Sequence, residues 1–259
     1  RLAELLTRRE CETAAYDAWC RLAADAFEAR EYEIVARAAT AGLELVADDR
    51  RLLELRAEAN RLLSRDDLAV ADLRDLAARS AETGDHESAI HQLQQALGMR
   101  PRHPQLMEML ATSQLAAGQR EAGLQVIRNL AEMRRREGAM DAAVAHARHL
   151  LELQNDEDSV DFLASLLEEA GRRDEALELW RDLAEQLAAH GNIDAALFRY
   201  ARLLALLPGN IDILRRLTEL SYRHGGMTAA MGHFDRLIQA LEAEGDASAV
   251  EMEYRRMIE

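Results

Sequence analysis

The chain of 259 residues carries a formal net charge of −15, and all 32 of its basic side chains are arginine. Hydrophobic residues make up 49% of it and aromatic residues only 4%, with three prolines in the whole sequence. Because alanine, leucine, glutamate and arginine dominate, we predict an all-α protein. The acidic charge argues against nucleic acid or anionic lipid as a partner and favours a protein or peptide, including a basic one.

The sequence carries neither a spanning segment nor a signal-peptide pattern at its start. No stretch reaches the roughly 18 apolar residues of a spanning helix, and no signal-peptide pattern opens the chain. Residue 1 is arginine rather than methionine, so we interpret the chain as an excised or processed segment. We therefore expect no direct membrane insertion by this segment and a cytoplasmic location, with any membrane tether outside it.

Chain-breaking residues recur at steps that alternate between 20 and 33 or 34 residues. The first three are assigned by register alone and the rest are glycines: Glu10, Arg30, Ser64, Gly84, Gly118, Gly138, Gly171, Gly191, Gly225 and Gly245. A fixed period of this kind is the signature of a repeat protein. We predict one domain covering 1–259, built from compound repeats at 10–63, 64–117, 118–170, 171–224 and 225–259.

The first element of each repeat is the 20-residue segment after its opening break. An apolar stripe with helical spacing predicts one helix of about five turns in each. In chain order the stripe consists of Tyr16, Trp19 and Leu22; Val70, Leu73 and Leu76; Leu124, Ile127 and Leu130; Leu177, Trp180 and Leu183; and Met231, Phe234 and Leu237.

The second and third elements are two helices that share the 34-residue segment. Small residues such as Ala89, Ala143 and Ala196 follow the break, where helices can approach closely. Pro101 and Pro208 lie where the earlier helix has ended, because proline cannot continue a helix. Three helices per repeat give about 14–15 helices in all.

The 34-residue step resembles the tetratricopeptide repeat (TPR) family. Small residues occupy its positions 8 and 20 in most copies, as with Ala57, Ala111 and Ala164 at position 8. At position 27 two copies are small and two carry the larger Leu150 and Leu203. The resemblance implies a right-handed α-solenoid of antiparallel helices. The chain departs from the family in lacking the usual aromatic residue at position 11 and in inserting the 20-residue helix.

The resemblance also implies that peptides bind along the inner face of the first helices, through positions 2, 5, 9 and 12. The predicted partner-binding residues are Gln105, Glu108 and Thr112; Asp158, Asp161, Ser165 and Glu168; and Asp212, Arg215, Glu219 and Tyr222. The first copy contributes Arg51, Glu54, Glu58 and Arg61. The alternative interpretation is that these positions form solvated polar faces with no ligand.

Seven acids between His149 and Gly171 have no lysine or arginine among them: Glu152, Asp156, Glu157, Asp158, Asp161, Glu168 and Glu169. Acids at a helix N-terminus favour the helix dipole, so one interpretation is a solvated helix face. The other is a docking patch for a basic segment.

No catalytic, metal or cofactor site is predicted. His146, His149 and Glu152 have the spacing of metal ligands on a helix. Their counterparts are Arg199 and Arg202 in the next repeat and Glu253 and Arg256 in the last, which indicates a solvated face. The sequence contains no nucleophile elbow and no phosphate-binding glycine loop. Two thiols, Cys11 and Cys20, are interpreted as structural or incidental.

Two functions fit the sequence. The first is a non-enzymatic scaffold or adaptor for protein–protein interaction; the resemblance implies bacterial secretion, pilus or exopolysaccharide machinery as its setting. The second is a regulatory sensor whose superhelix binds a peptide or small molecule, with Arg215 and Tyr222 as its best candidates. The last repeat stops where Tyr254, Met257 and Ile258 would need a covering helix, so we expect a homo-oligomer or partner contact there.

Overall fold

The structure, a computed structural model, describes residues 12–258. These residues form thirteen α-helices and no strand, which confirms the all-α prediction. The helices are α1 (Glu12–Glu28), α2 (Tyr32–Leu45), α3 (Arg50–Leu62), α4 (Asp66–Glu82), α5 (His86–Met99), α6 (Pro104–Ala116), α7 (Arg120–Arg136), α8 (Met140–Leu153), α9 (Glu157–Glu169), α10 (Arg173–Ala189), α11 (Ile193–Leu206), α12 (Ile211–Glu244) and α13 (Ala247–Ile258).

The chain divides after Gly138 into an N-terminal unit, which contains α1–α7, and a C-terminal unit, which contains α8–α13. Within each unit every helix packs against the next one along the chain. Short connections favour antiparallel neighbours, as in other helical repeat proteins. The predicted three helices per repeat are confirmed, whereas one domain over 1–259 stays a prediction.

The turns between helices confirm the register of the repeat, even where glycine is missing. Arg30 and Ser64 adopt left-handed backbone conformations, with φ of 59° and 56°, like the glycines at the later breaks. Glu10 lies outside the described residues. Gly225 was the wrong break residue, because the chain turns one residue later, at Gly226 (φ 71°, ψ −166°), which divides α12 into residues 211–225 and 227–244.

The predicted apolar stripe forms much of the core. Leu76, Leu130 and Leu237 are at most 2% exposed. Two stripe residues are exceptions, since Leu22 is 37% and Met231 43% exposed. Leu22 lies on α1, the first described helix, and Met231 lies on α12, next to the last described helix. Each therefore has fewer described helices on one side.

Small residues occupy the contacts between helices, as predicted. Ala89, Ala143 and Ala196 are completely buried, one at the same register in each of three repeats. Their size lets the backbones of neighbouring helices approach closely.

None of the described helices has the length and hydropathy that crossing a bilayer requires.

A candidate binding groove in the C-terminal unit

The first half of α12 presents four predicted partner-binding residues on one face. The side chain of Asn210 caps this helix by accepting a hydrogen bond of 3.0 Å from the backbone N–H of Ile213. From that start, helical spacing places Asp212, Arg215, Glu219 and Tyr222 in a row, since residues three or four apart are neighbours on a helix.

These four residues line a cavity of about 570 Å³. Its walls come from four helices of the C-terminal unit: Leu177, Glu178, Arg181 and Glu185 of α10; Tyr200 and Leu203 of α11; Ile213 and Arg216 of α12; and Glu253, Arg256 and Met257 of α13. Helices that the sequence predicts separately therefore meet at one concave site. We call this cavity the C-terminal groove.

One ladder of charged groups crosses the groove from α10 to α12. The hydroxyl of Tyr200 donates to Glu185 at 2.9 Å, and Arg216 donates to the same carboxylate at 2.6 Å. Arg216 also reaches Glu219 at 2.8 Å, and Arg223 pairs with Glu219 at 2.7 Å. The bond from Arg216 holds the pKa of Glu185 below its usual range. Burial and the bond to Glu185 raise the pKa of Tyr200.

A second ladder joins α12 to α13. Arg215 donates to Glu253 at 2.7 Å and to Asp212 at 3.1 Å, while Arg256 lies 3.6 Å from Glu253. The sequence interpretation placed Glu253 on a solvated face, which is wrong: this residue is only 6% exposed. A buried carboxylate requires a paired cation, and Arg215 supplies it.

The uncharged part of the groove is apolar and partly open to solvent. Leu203 and Phe234 are buried beneath it, and Leu177, Leu207 and Met257 are half-buried at its wall. Tyr222 is 47% exposed, and no described residue forms a hydrogen bond with its hydroxyl. Tyrosine at a concave site is a common anchor in protein interfaces.

The stretch between His149 and Gly171 that carries the seven acids, called the acidic segment below, is partly neutralised by an arginine from another helix. Asp156 caps α9 by accepting a hydrogen bond of 2.9 Å from the backbone of Ser159. Arg199 of α11 pairs with Glu157 at 2.9 Å and with Asp161 at 2.6 Å. The interpretation of position 199 as solvated is therefore wrong, because Arg199 is only 9% exposed.

Trp180 completes this cluster by donating from its indole nitrogen to Asp161 at 2.9 Å. Asp161 and Arg199 are 38 residues apart, and so are Arg215 and Glu253. The two pairs occupy the same positions of successive repeats, but the acid comes first in one pair and the arginine comes first in the other. Sequence reasoning missed both pairs, although the shared separation of 38 residues is visible in the repeat.

The other predicted residues lie outside the C-terminal groove. Asp158 and Glu168 are exposed on α9, where the hydroxyl of Ser165 donates to the carbonyl oxygen of Phe162 at 2.8 Å. Three more share an exposed face of α6 in the N-terminal unit: Gln105, Glu108 and Thr112.

The N-terminal unit has a groove at the equivalent place in its own repeat. It measures about 480 Å³, and α3, α4 and α5 line it with residues that include Glu54, Glu58, Arg61, Leu73 and Gln92. Glu54 and Glu58 occupy the register of Arg215 and Glu219. The two grooves therefore share a framework and differ in their charges.

The metal and thiol candidates give no reactive cluster. Within residues 12–258, no three histidine, cysteine, aspartate or glutamate side chains are grouped as metal ligands. Burial raises the pKa of the Cys20 thiol, which disfavours the nucleophilic thiolate. Cys11 lies outside the described residues.

Comparison with known proteins gives one family. The model of the tetratricopeptide repeat matches residues 177–220, a stretch that includes α11 and part of the groove. A MamA segment from Desulfovibrio magneticus RS-1 is 15% identical, over 67% of this chain and 96% of that one, with a TM-score of 0.33. A Podosopora anserina putative kinesin light chain is 14% identical, over 73% and 92%, with a TM-score of 0.32. No curated protein matches.

Proposed function

We propose that this chain, a member of the tetratricopeptide repeat family, is a non-enzymatic scaffold or adaptor that holds another protein in its C-terminal groove. One observation carries the proposal. The structure gathers Asp212, Arg215, Glu219 and Tyr222 into a single cavity, and Tyr222, which is 47% exposed, is the aromatic side chain there that remains open to a partner. Repeat solenoids use concave surfaces of this kind for binding.

The electrostatics of the groove favour binding over catalysis. A general acid that works near neutral pH needs a raised carboxyl pKa. Arg216 instead lowers the pKa of Glu185, which keeps that carboxylate ionised and paired. The charged groups of the groove pair across helices, as Arg216 does with Glu185 and Arg215 with Glu253.

The proposed setting is a bacterial multiprotein assembly, such as secretion, pilus or exopolysaccharide machinery, with the chain in the cytoplasm. A second contact, with a partner or another copy, is proposed at the C-terminal end. Met227 and Met231 of α12 are 45% and 43% exposed there, although Val70, at the same register as Met231, is 8% exposed. Apolar side chains that are exposed where the equivalent position of another repeat is buried support an interaction surface.

The test is affinity capture from a bacterial lysate with crosslinking, so that the contact itself is mapped by mass spectrometry. Tyr222→Ala tests the groove, and Met231→Glu tests the C-terminal end. Phe198→Ala is the control, because this aromatic residue is 62% exposed on α11 and does not line the groove. We expect crosslinks on α12 that Tyr222→Ala removes and Phe198→Ala leaves. Crosslinks that survive Tyr222→Ala contradict the groove assignment.

The acidic segment is tested in the same capture. Asp158→Asn with Glu168→Gln removes two exposed charges and leaves the pairs of Arg199 intact. Loss of the partner in this variant alone would move the site to the acidic segment and make a basic partner the better assignment.

A sensor that binds a small molecule is the second candidate, and the size of the groove favours it. A cavity of about 570 Å³ falls within the range of small-molecule sites. A ligand that binds only the folded state raises the melting temperature. A compound that does so for the wild type but not for Tyr222→Ala would favour the sensor.

A further inference from the structure

The charged groups around the C-terminal groove balance one another. Together with Arg223, which pairs with Glu219 at the rim, its lining contributes five carboxylates and five guanidinium groups. Eight of these ten groups belong to the two ladders, Glu185–Arg216–Glu219–Arg223 and Asp212–Arg215–Glu253–Arg256. The other two, Glu178 and Arg181, are opposite in charge and lie one turn apart on α10. The lining alone therefore carries a net charge of −1, which Arg223 offsets at the rim.

Apart from Glu178 and Arg181, which are opposite in charge, every charged group of the lining already has a partner in one of the ladders, and a charged ligand group would have to displace it. A carboxylate that captured Arg215 would leave Glu253, with a side chain 8% exposed, without its closest cation. A guanidinium that captured Glu185 would compete with a bond of 2.6 Å from Arg216 and one of 2.9 Å from Tyr200. Removing the cation of a buried carboxylate such as Glu253 costs more than the pair contributes. The pair of Arg216 and Glu185, whose side chains are 34% and 46% exposed, is the weaker barrier. Charged anchors are thus disfavoured.

The apolar part of the groove has no such internal partner. Tyr222 is 47% exposed, and Leu177, Leu207 and Met257 keep part of their surface open to solvent in the same cavity. Contact with an apolar side chain removes this surface from water without breaking a bond. The favourable interaction that remains available in the groove is therefore hydrophobic.

We infer that the C-terminal groove recognises an extended or helical peptide through an uncharged aliphatic or aromatic side chain that packs on Tyr222, and that charge contributes little to its affinity. This inference rests on the proposed function and names the chemistry of the partner. It departs from the expectation that the acidity of the whole chain makes a basic segment the preferred ligand.

The experiment uses peptides as the probe, so it does not need the natural partner. A random peptide library displayed on phage is selected against the whole chain, and the Kd of the enriched peptides is measured at about 0.1 M and about 1 M salt, where the Debye length falls from about 10 Å to about 3 Å. Each Kd is then measured for Tyr222→Ala, for the control Phe198→Ala, and for the doubly neutral Glu178→Gln with Arg181→Gln.

We expect aliphatic or aromatic residues at the anchor position and a Kd that changes less than about twofold with salt. Tyr222→Ala should weaken binding by about tenfold or more, while the other two variants should stay within about twofold of wild type. Enrichment of basic or acidic anchors, a Kd that rises steeply with salt, or equal effects of Tyr222→Ala and Phe198→Ala would overturn the inference. So would a failure to enrich any peptide.

These failures are separate from a failure of the proposed function. Peptides that bind with basic anchors and are lost in Asp158→Asn with Glu168→Gln would leave the chain an adaptor and remove only the hydrophobic anchor. The proposed function itself fails if lysate capture with crosslinking yields no protein contact on α12.

Discussion

Replacing Arg199 by methionine tests how the C-terminal unit joins α9 to α11. Methionine keeps much of the aliphatic packing of Arg199 but cannot donate the bonds of 2.6 Å and 2.9 Å to Asp161 and Glu157. Bonds to charged groups contribute about 1.5–3 kcal/mol each. The two carboxylates remain 37% and 45% exposed, so water screens the pair and rehydrates both acids when the arginine is lost. We therefore expect a total loss of about 1–3 kcal/mol in the free energy of unfolding.

A double-mutant cycle isolates the pair from the rest of the arginine. Asp161→Asn removes the charge but keeps an oxygen that can accept from the Trp180 indole, so this contact survives in the single variant. Urea unfolding of the wild type, Arg199→Met, Asp161→Asn and the double variant gives the coupling energy, which we expect to be about 1 kcal/mol. Additive effects within about 0.3–0.5 kcal/mol would refute the ion pair as a link between the two helices.

Three further changes test other parts of the structure. Arg56→Met leaves the buried Asp72 without the guanidinium that donates to it at 2.7 Å, so we expect a loss of about 3 kcal/mol at pH 7. Burial already raises the pKa of Asp72, so the folded protein binds a proton at this carboxyl up to a higher pH than the unfolded chain does. Urea unfolding of Arg56→Met should therefore show a smaller loss at about pH 4, where Asp72 is largely protonated. A loss that does not depend on pH would contradict this reasoning. Gly226→Ala forces a side chain into a backbone region suited to glycine and should cost about 1–3 kcal/mol. The control is Gly232→Ala in the same helix, where a Cβ meets no atom within 4 Å; it should be neutral or stabilising by up to about 1 kcal/mol. Equal shifts of the melting temperature in the two variants would refute the strained turn. Asn210→Ala removes the cap of α12 and should cost about 1 kcal/mol, while Asn210→Asp should keep most of that stability in urea unfolding.

Local spacing was enough to predict the helices and the register of the repeats. Arg30 and Ser64 were assigned as breaks from register alone, and both adopt the left-handed conformation of the glycines that replace them in later repeats. The prediction failed at Gly225 because two adjacent glycines give the same spacing to within one residue, and only the packing of α12 decides which of them turns.

The candidate site could be predicted only in part, for a physical reason. Periodicity identified Asp212, Arg215, Glu219 and Tyr222 as one face of one helix, and that part holds in the structure. It assigned Arg199 and Glu253 to solvent because single-helix patterns treat a charged side chain as exposed. Their partners, Asp161 and Arg215, lie 38 residues away in the sequence, with one further helix between the two members of each pair. The burial of Arg199 and Glu253 is therefore visible only in the packed structure.

The reversed polarity of these two pairs has a consequence for how the chain avoids misfolding. Repeat proteins tend to misfold by swapping or slipping equivalent elements, because neighbouring repeats offer nearly the same surface. If the chain slipped by one repeat, Asp161 would face Glu253, at the position that Arg199 normally occupies. Two carboxylates would then meet where the native arrangement has an ion pair, which is unfavourable. The opposite order of charge thus distinguishes these two repeats from each other and makes an exchange between them unfavourable.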